Sequence, residues 1–212
     1  VAYWKLDEAS GTRVDSVGSS GLDENGSVPS ESGKIGNSAV VTSGNYLSHP
    51  DDAALSMGEG VSFTVAGWIR LNSTTQYSIV ASKDGEYTLG YASDLGRFTF
   101  WVWDTTGGRT YIAAGLPPNV GVWYYVMAWY EADTNTMYLS VNNDTPTTAN
   151  VTNDAPDSLA SLTVGRGFAA FFSDAGVDEV AIWKRALTPS ERLALYNTGS
   201  GCAYPFTTCV LP

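Results

Sequence analysis

Cysteine, histidine and positive charge are all scarce in this chain. Of 212 residues, two are cysteine, one is histidine and eleven are lysine or arginine, against twenty-two acids, for a formal net charge of −11. The eleven bases are scattered, so the chain lacks the clustered positive charge that phosphate recognition needs. Nucleic acid is not expected as a partner, and anionic membranes and acidic glycans are disfavoured for the same reason. No apolar run is long enough to cross a bilayer, and membrane insertion is not expected. The single imidazole, His49, has no nucleophile elbow to serve, and neither a zinc-ligand spacing nor a Gly-rich phosphate loop is present. The chain therefore reads as a protein that is not an enzyme. The two cysteines, Cys202 and Cys209, lie near the end. A metal would need further ligands, so the expectation is a short disulfide loop, an oxidising compartment, and little loss of stability on reduction.

What the chain has is aromatic rings and turn formers. Seven Trp, twelve Tyr and seven Phe accompany twenty-two Gly, with charged residues at only 16%. That mixture suits strands joined by tight turns. Alternation predicts strands over residues 2–6, 38–41, 46–47, 61–71, 78–82, 87–91, 97–104, 110–113, 137–141 and 159–164. Lys83-Asp84-Gly85-Glu86 is a hairpin signal. Residues 123–130 form an apolar run without alternation, which predicts a central strand buried on both faces. Residues 7–34 and 142–158 read as the two long loops. The pattern is all-β, two packed antiparallel sheets.

The closing stretch, residues 177–196, changes period midway. Val180 and Ile182 share one face with Asp178 in register, while Glu179, Ala181 and Trp183 face the other way. Thr188-Pro189-Ser190-Glu191 then reads as a capping box with proline at the first helical position. Leu187, Leu193 and Tyr196 are expected to share the buried face of the short helix.

This stretch resembles the last strand and trailing helix of laminin-G-like, concanavalin-A-like jelly-roll modules of secreted proteins. Residues 1–11, 14–16, 33–37, 63–69 and 123–126 match that family in the same order. The resemblance implies a jelly-roll domain over residues 1–198, followed by a tail over 199–212. The chain is expected to be a mature or excised piece of a larger, multidomain product that is secreted or held at the cell surface.

The family offers three chemistries. Glucanases on this fold need Glu-x-Asp-x-x-Glu along one strand face. The nearest match, Glu131-Ala-Asp133, lacks the last acid and reads as a turn. Calcium is the cofactor implied by many related jelly rolls, held between the opening segment and the last strand. Asp178, Asp7 and Asp15 are the matching acids, in a structural role. Sugar binding is the third. In Phe98–Asp104 the alternation puts Phe98, Phe100 and Val102 on the core face and Trp101 and Trp103 on the outer one. Indoles on a sheet stack against sugar rings, with Asp104, Arg109, Asn72 and Gln76 as hydroxyl partners. The expected function is a noncatalytic carbohydrate-binding or adhesion module for a neutral or weakly charged glycan. The alternatives are an interaction domain whose partner is a cell-surface or extracellular protein and, behind it, a cryptic glycoside hydrolase or polysaccharide lyase.

Overall fold

The computed structural model describes residues 1–153, 155–207 and 209. Its strands begin with β1 (Ala2–Trp4), β2 (Asp23–Asn25), β3 (Ser30–Ser32), β4 (Asn37–Val41) and β5 (Tyr46–His49). Next come β6 (Phe63–Leu71), β7 (Ser78–Lys83), β8 (Tyr87–Ala92), β9 (Arg97–Trp103) and β10 (Arg109–Ala114). The series ends with β11 (Trp123–Glu131), β12 (Thr136–Val141), β13 (Thr147–Asn150), β14 (Leu162–Val164) and β15 (Ala175–Trp183). One α-helix, α1 (Pro189–Tyr196), follows β15.

The strands make two antiparallel sheets. One runs β13-β12-β11-β6-β15-β4-β3, with β1 added to β15; the other runs β10-β9-β8-β7-β14-β5-β2. The Gly85 turn joins β7 to β8 with φ +83°, a value that glycine adopts freely. As the apolar run predicts, β11 is central, paired with β6 on one side and β12 on the other. The sequence reading left β2, β3 and β13 inside its two long loops. These strands are three or four residues long and partly exposed, so they carry no alternating hydrophobic signal.

The core lies between the sheets. Phe63 of β6 reaches Tyr130 on its own sheet (ring centroids 5.8 Å apart) and Tyr87 and Phe100 on the facing sheet (5.2 and 6.1 Å). Gly67 lets the sheets close: a Cβ there would lie 2.8 Å from Val80 Cγ1. Aromatic contacts of this kind add to area burial and fix how the sheets seat on each other.

A second apolar layer covers the outer face of the eight-stranded sheet. Tyr3, Trp68, Tyr125, Met127, Trp129 and Trp183 are buried there beneath α1 and the C-terminal tail. The helix starts as the capping box requires. Thr188 accepts from the Glu191 N–H, and the Glu191 carboxylate accepts from the Thr188 N–H. Its buried face differs from the expectation: Leu187 and Leu195 are buried, while Leu193 is 52% exposed. The 3.6-residue period sets Leu195 on the sheet side and turns Leu193 to solvent. Cys202 and Cys209 are disulfide-bonded, with Cα atoms 6.0 Å apart. The loop between them lays Phe206 edge-on against Tyr3 at 5.2 Å and Tyr204 against Tyr3 at 5.9 Å. The tail is thus part of the second apolar layer, which the sequence reading did not anticipate.

Candidate functional site

The alternation in β9 holds in the structure. Phe98, Phe100 and Val102 are fully buried in the core, and Trp101 and Trp103 emerge on the outer face of the seven-stranded sheet, half-buried. Strand register then brings β10 residues beside them: Tyr111 lies opposite Trp101, and Arg109 opposite Trp103. Trp101 and Tyr111 stack with centroids 4.3 Å apart, and Tyr111 remains 46% exposed. The Arg109 guanidinium lies 5.3 Å from the Trp101 ring, 5.9 Å from Trp103 and 4.8 Å from Phe168. The quadrupoles of three rings attract that cation and hold it over the platform.

A small hairpin between β14 and β15 shapes this face. Arg166 bridges Phe172, and the Gly167 N–H donates to the Phe171 carbonyl at 2.9 Å. At its tip Phe168 packs edge-on against Trp101 (5.5 Å) and Trp103 (5.0 Å). Phe171 stacks on Tyr77 at 4.2 Å. The Tyr77 hydroxyl donates to Asp94 at 2.7 Å; burial first, and then that carboxylate, push its pKa up to about 12. The hairpin therefore covers part of both indoles and adds two phenyl rings to the aromatic ground.

Beyond the hairpin the same face is polar. Neighbouring residues continue the row outward from Trp101: Thr88, then Ser82, Thr163, Ser48 and Asp23. With the strand spacing of about 4.8 Å, the row from Tyr111 to Asp23 spans roughly 29 Å. A hollow of about 230 Å³ lies on this side, lined by Ser82, Asp84, Ser161, Thr163, Arg166 and Gly167 among others.

The other expected ligand residues are engaged elsewhere. Asp104 Oδ1 accepts from the Thr106 N–H (2.8 Å), the Thr106 hydroxyl (2.6 Å) and the Gly108 N–H (3.0 Å), which lowers its pKa and commits it to its own turn. Asn72 donates to Asp174 at 3.1 Å. Gln76 is half-buried immediately before Tyr77. The structure thus brings Trp101, Trp103 and Arg109 together and leaves Asp104 and Asn72 with local partners. Sequence reasoning missed Tyr111, Phe168, Phe171, Tyr77 and Arg166. The alternation of Arg109 and Tyr111 was a usable signal; the apolar run 168–172 following Gly-Arg-Gly was another.

The acids proposed for calcium occupy a different region. A β-bulge interrupts the β15–β6 pairing between Asp178 and Ala181, with Glu179 at φ +52°. The extra residue shifts the alternation, so Asp178 does not share a face with Val180 and Ile182 as the sequence pattern suggests. Asp178 pairs with Trp68 of the outer layer instead. β4 and β1 pair with β15 on either side of the bulge, and the 33–37 loop meets Asp178 there. Asp178 Oδ2 accepts from the Lys34 and Ile35 N–H groups at 2.8 and 2.9 Å, and its buried Oδ1 has no hydrogen-bond partner. Asp7 holds the same loop through the Asn37 N–H at 2.7 Å. Burial, opposed by the loop N–H groups and reinforced by nearby Asp7, pushes the Asp178 pKa up to about 7. Asp15 spends its oxygens on the Tyr3, Val17 and Ser20 N–H groups. No cluster of three or more His, Cys, Asp or Glu side chains suited to a metal occurs among the described residues.

The acids and histidine considered for catalysis lie at strand ends or in a turn. Glu131 ends β11 and accepts from the Tyr138 hydroxyl at 3.2 Å, and Asp133 lies in the following 3₁₀ turn. His49 Nδ1 is 2.7 Å from the Gly21 carbonyl.

Comparison with known proteins places this architecture. The binding domain of Paraclostridial Mosquitocidal Protein 1 superposes with a TM-score of 0.75 at 15% identity, covering 93% of this chain and 51% of that one. Domain 4 of AbnA, an extracellular arabinanase from Geobacillus stearothermophilus solved with arabinotriose, gives 0.67 at 18% identity, covering 94% and 97%. The botulinum neurotoxin serotype D binding domain gives 0.70 at 10% identity, covering 93% and 51%. The chain thus spans about half the length of the toxin binding domains it matches. No curated protein sequence matches it. The family model described as the concanavalin A-like lectin/glucanases superfamily matches residues 41–191. The chain belongs to that superfamily.

Proposed function

We propose that this domain is a noncatalytic sugar-binding module of a larger secreted or surface protein, and that its ligand lies on the outer face of the seven-stranded sheet. The observation that carries this reading is the aromatic cluster of half-buried Trp101 and exposed Tyr111 under the Arg109 guanidinium. Flat rings beside polar groups are what a pyranose or furanose needs: a stacking surface for its C–H face and partners for its hydroxyls. Solved neighbours that are binding domains, one of them holding an arabino-oligosaccharide, support the reading. Stacking at about 1 kcal/mol per ring, added to hydrogen bonds from the sugar hydroxyls, suits a Kd between micromolar and millimolar, with avidity supplied by the parent protein. A glycan array followed by titration calorimetry tests it. Trp101→Ala with Tyr111→Ala should abolish binding without unfolding the chain; binding that survives this double substitution would refute the site.

A structural calcium at Asp178 and Asp7 is part of the proposal. The ion would neutralise two neighbouring carboxylates and satisfy the bare Asp178 Oδ1. Calcium should raise the Tm of the wild type, and Asp178→Asn should remove that response. If EDTA leaves the Tm unchanged and Asp178→Asn is neutral or stabilising, Asp178 is a buried protonated acid instead.

The interaction-domain reading also has an observation in its favour. Leu116, Val120 and Val122, on the connection between β10 and β11, are 82%, 54% and 44% exposed. Three apolar side chains on one loop suit a protein partner. Replacing all three with Ser separates the readings, since glycan binding should not change.

A further inference from the structure

Arginines in this acid-rich chain mostly have partners. Among the described residues Arg13 meets Glu24, Arg70 meets Glu31, and Arg185 meets Glu191. Arg97 and Arg192 donate to the Gly115 and Leu187 carbonyls. Arg109 and Arg166 pair with no carboxylate among the described residues, although acids outnumber bases twenty-two to eleven in the chain. Both lie on the ligand face, Arg109 against Phe168 at the hairpin tip and Arg166 at the hairpin base.

Arg166 is the better fixed of the two. Its guanidinium lies 5.1 Å from the Tyr46 ring and 5.8 Å from the Phe172 ring. Its Nη1 donates to the Tyr46 hydroxyl at 3.3 Å, and its Nε is buried without an acceptor. The residue lines the polar hollow together with Ser82, Ser161 and Thr163. A guanidinium fixed by two rings and the Tyr46 hydroxyl at the edge of a hydroxyl-lined space is a preorganised carboxylate receptor.

We propose that the hollow at Arg166 takes the carboxylate of a single acidic sugar unit, a uronic or a sialic acid, in a glycan whose neighbouring ring stacks on Trp101 and Tyr111. The inference rests on the sugar-binding reading above and names its substrate class. It is compatible with the net charge of −11. At about 0.1 M salt, charges more than roughly 10 Å away are largely screened, so local contacts decide. Asp84 lines the same hollow. Its carboxylate can accept sugar hydroxyls, and its repulsion grows with each charge the ligand carries, so one carboxylate facing Arg166 is favoured over a polyanion such as heparin.

The test uses matched ligand pairs on the whole chain: sialyllactose against lactose, and a xylo-oligosaccharide bearing one glucuronate against the same unsubstituted xylo-oligosaccharide. The acidic member of one pair should bind about ten-fold tighter or more than its neutral partner, as expected for a charge-assisted, two-pronged hydrogen bond. Which pair responds distinguishes sialate from uronate. Arg166→Gln should erase the preference while leaving the neutral ligand's affinity unchanged, which also shows that the variant is folded. Arg166→Lys should retain part of it, and raised salt should reduce it. Equal affinity for both members of both pairs, or a preference that persists in Arg166→Gln, overturns the inference. If neutral glycans still bind in a Trp101-dependent way, only the acid-receptor claim has failed. If no glycan binds at all, the sugar-binding reading falls with it.

Discussion

The two outer faces of this sandwich are both rich in aromatic rings, and they have opposite fates. On the eight-stranded sheet, Tyr3, Trp68, Trp129 and Trp183 are no more than 7% exposed, because α1 and the disulfide-closed tail lie over them. On the seven-stranded sheet, among the described residues, the Phe168 hairpin, Tyr111 and Arg109 cover the indoles only in part, and Tyr111 stays 46% exposed. Aromatic density alone therefore does not mark a ligand face. Where the chain supplies its own cover the rings become a second core, and where it does not they remain available for stacking.

The sharpest way to break this comparison is to remove one ring from the covered face. Trp68 stacks near Tyr125 (5.1 Å) and Tyr196 (6.1 Å). Trp68→Ala should cost about 3–5 kcal/mol in urea unfolding, like other buried Trp deletions. A cost below about 1 kcal/mol would mean that the helix and tail only rest on the sheet.

A smaller effect is expected at the bulge on the same sheet. Burial pushes the Glu179 pKa up to about 8, and neither carboxylate oxygen has a hydrogen-bond partner. The folded chain thus keeps a proton that the unfolded chain releases near the ordinary glutamate value of about 4.3. With more protons bound in the folded state, stability falls as pH rises from there through about 8. Glu179→Gln should match wild type at pH 4–5 and exceed it by up to a few kcal/mol at pH 9. Identical pH profiles for the two would show that the group is solvated.

Next in size is the tail. Breaking Cys202–Cys209 with Cys202→Ser releases a loop that holds Tyr204 and Phe206 on Tyr3. The chain-entropy relation gives about 2 kcal/mol for a loop of this length. That exceeds the near-zero effect expected if the tail merely trailed from the domain. The smallest stability change belongs to the uncovered face: Tyr111→Ala should cost under about 1 kcal/mol.

How much was legible beforehand follows from the same physics. The strands with inward apolar residues, such as Phe98, Phe100 and Val102, announce themselves through a period of two, and Thr188-Pro-Ser-Glu191 announces its helix through capping chemistry. The bulge at Asp178–Glu179 did not show, because one inserted residue leaves composition unchanged while reversing the faces on either side. Trp101, Trp103 and Arg109 could be nominated from alternation within β9 and neighbouring turns. Tyr111 and Phe168 required cross-strand register and a hairpin fold-back, which couple residues far apart in the chain. Asp104 looked free in sequence, but its own turn had already taken it, and Asn72 is taken by Asp174, far away in the chain.

The central claim is that the uncovered face is the ligand face. The most direct measurement is a glycan array read with wild type, with the Trp101→Ala/Tyr111→Ala double variant, and with Trp123→Ala. Trp123 is half-buried at the margin of the covered face, under the Arg70 guanidinium at 5.4 Å. The account predicts that every hit disappears in the double variant, whose Tm stays within a few degrees of wild type, and persists in Trp123→Ala. Hits that survive the double variant but vanish with Trp123→Ala would contradict it and move the ligand to the other sheet.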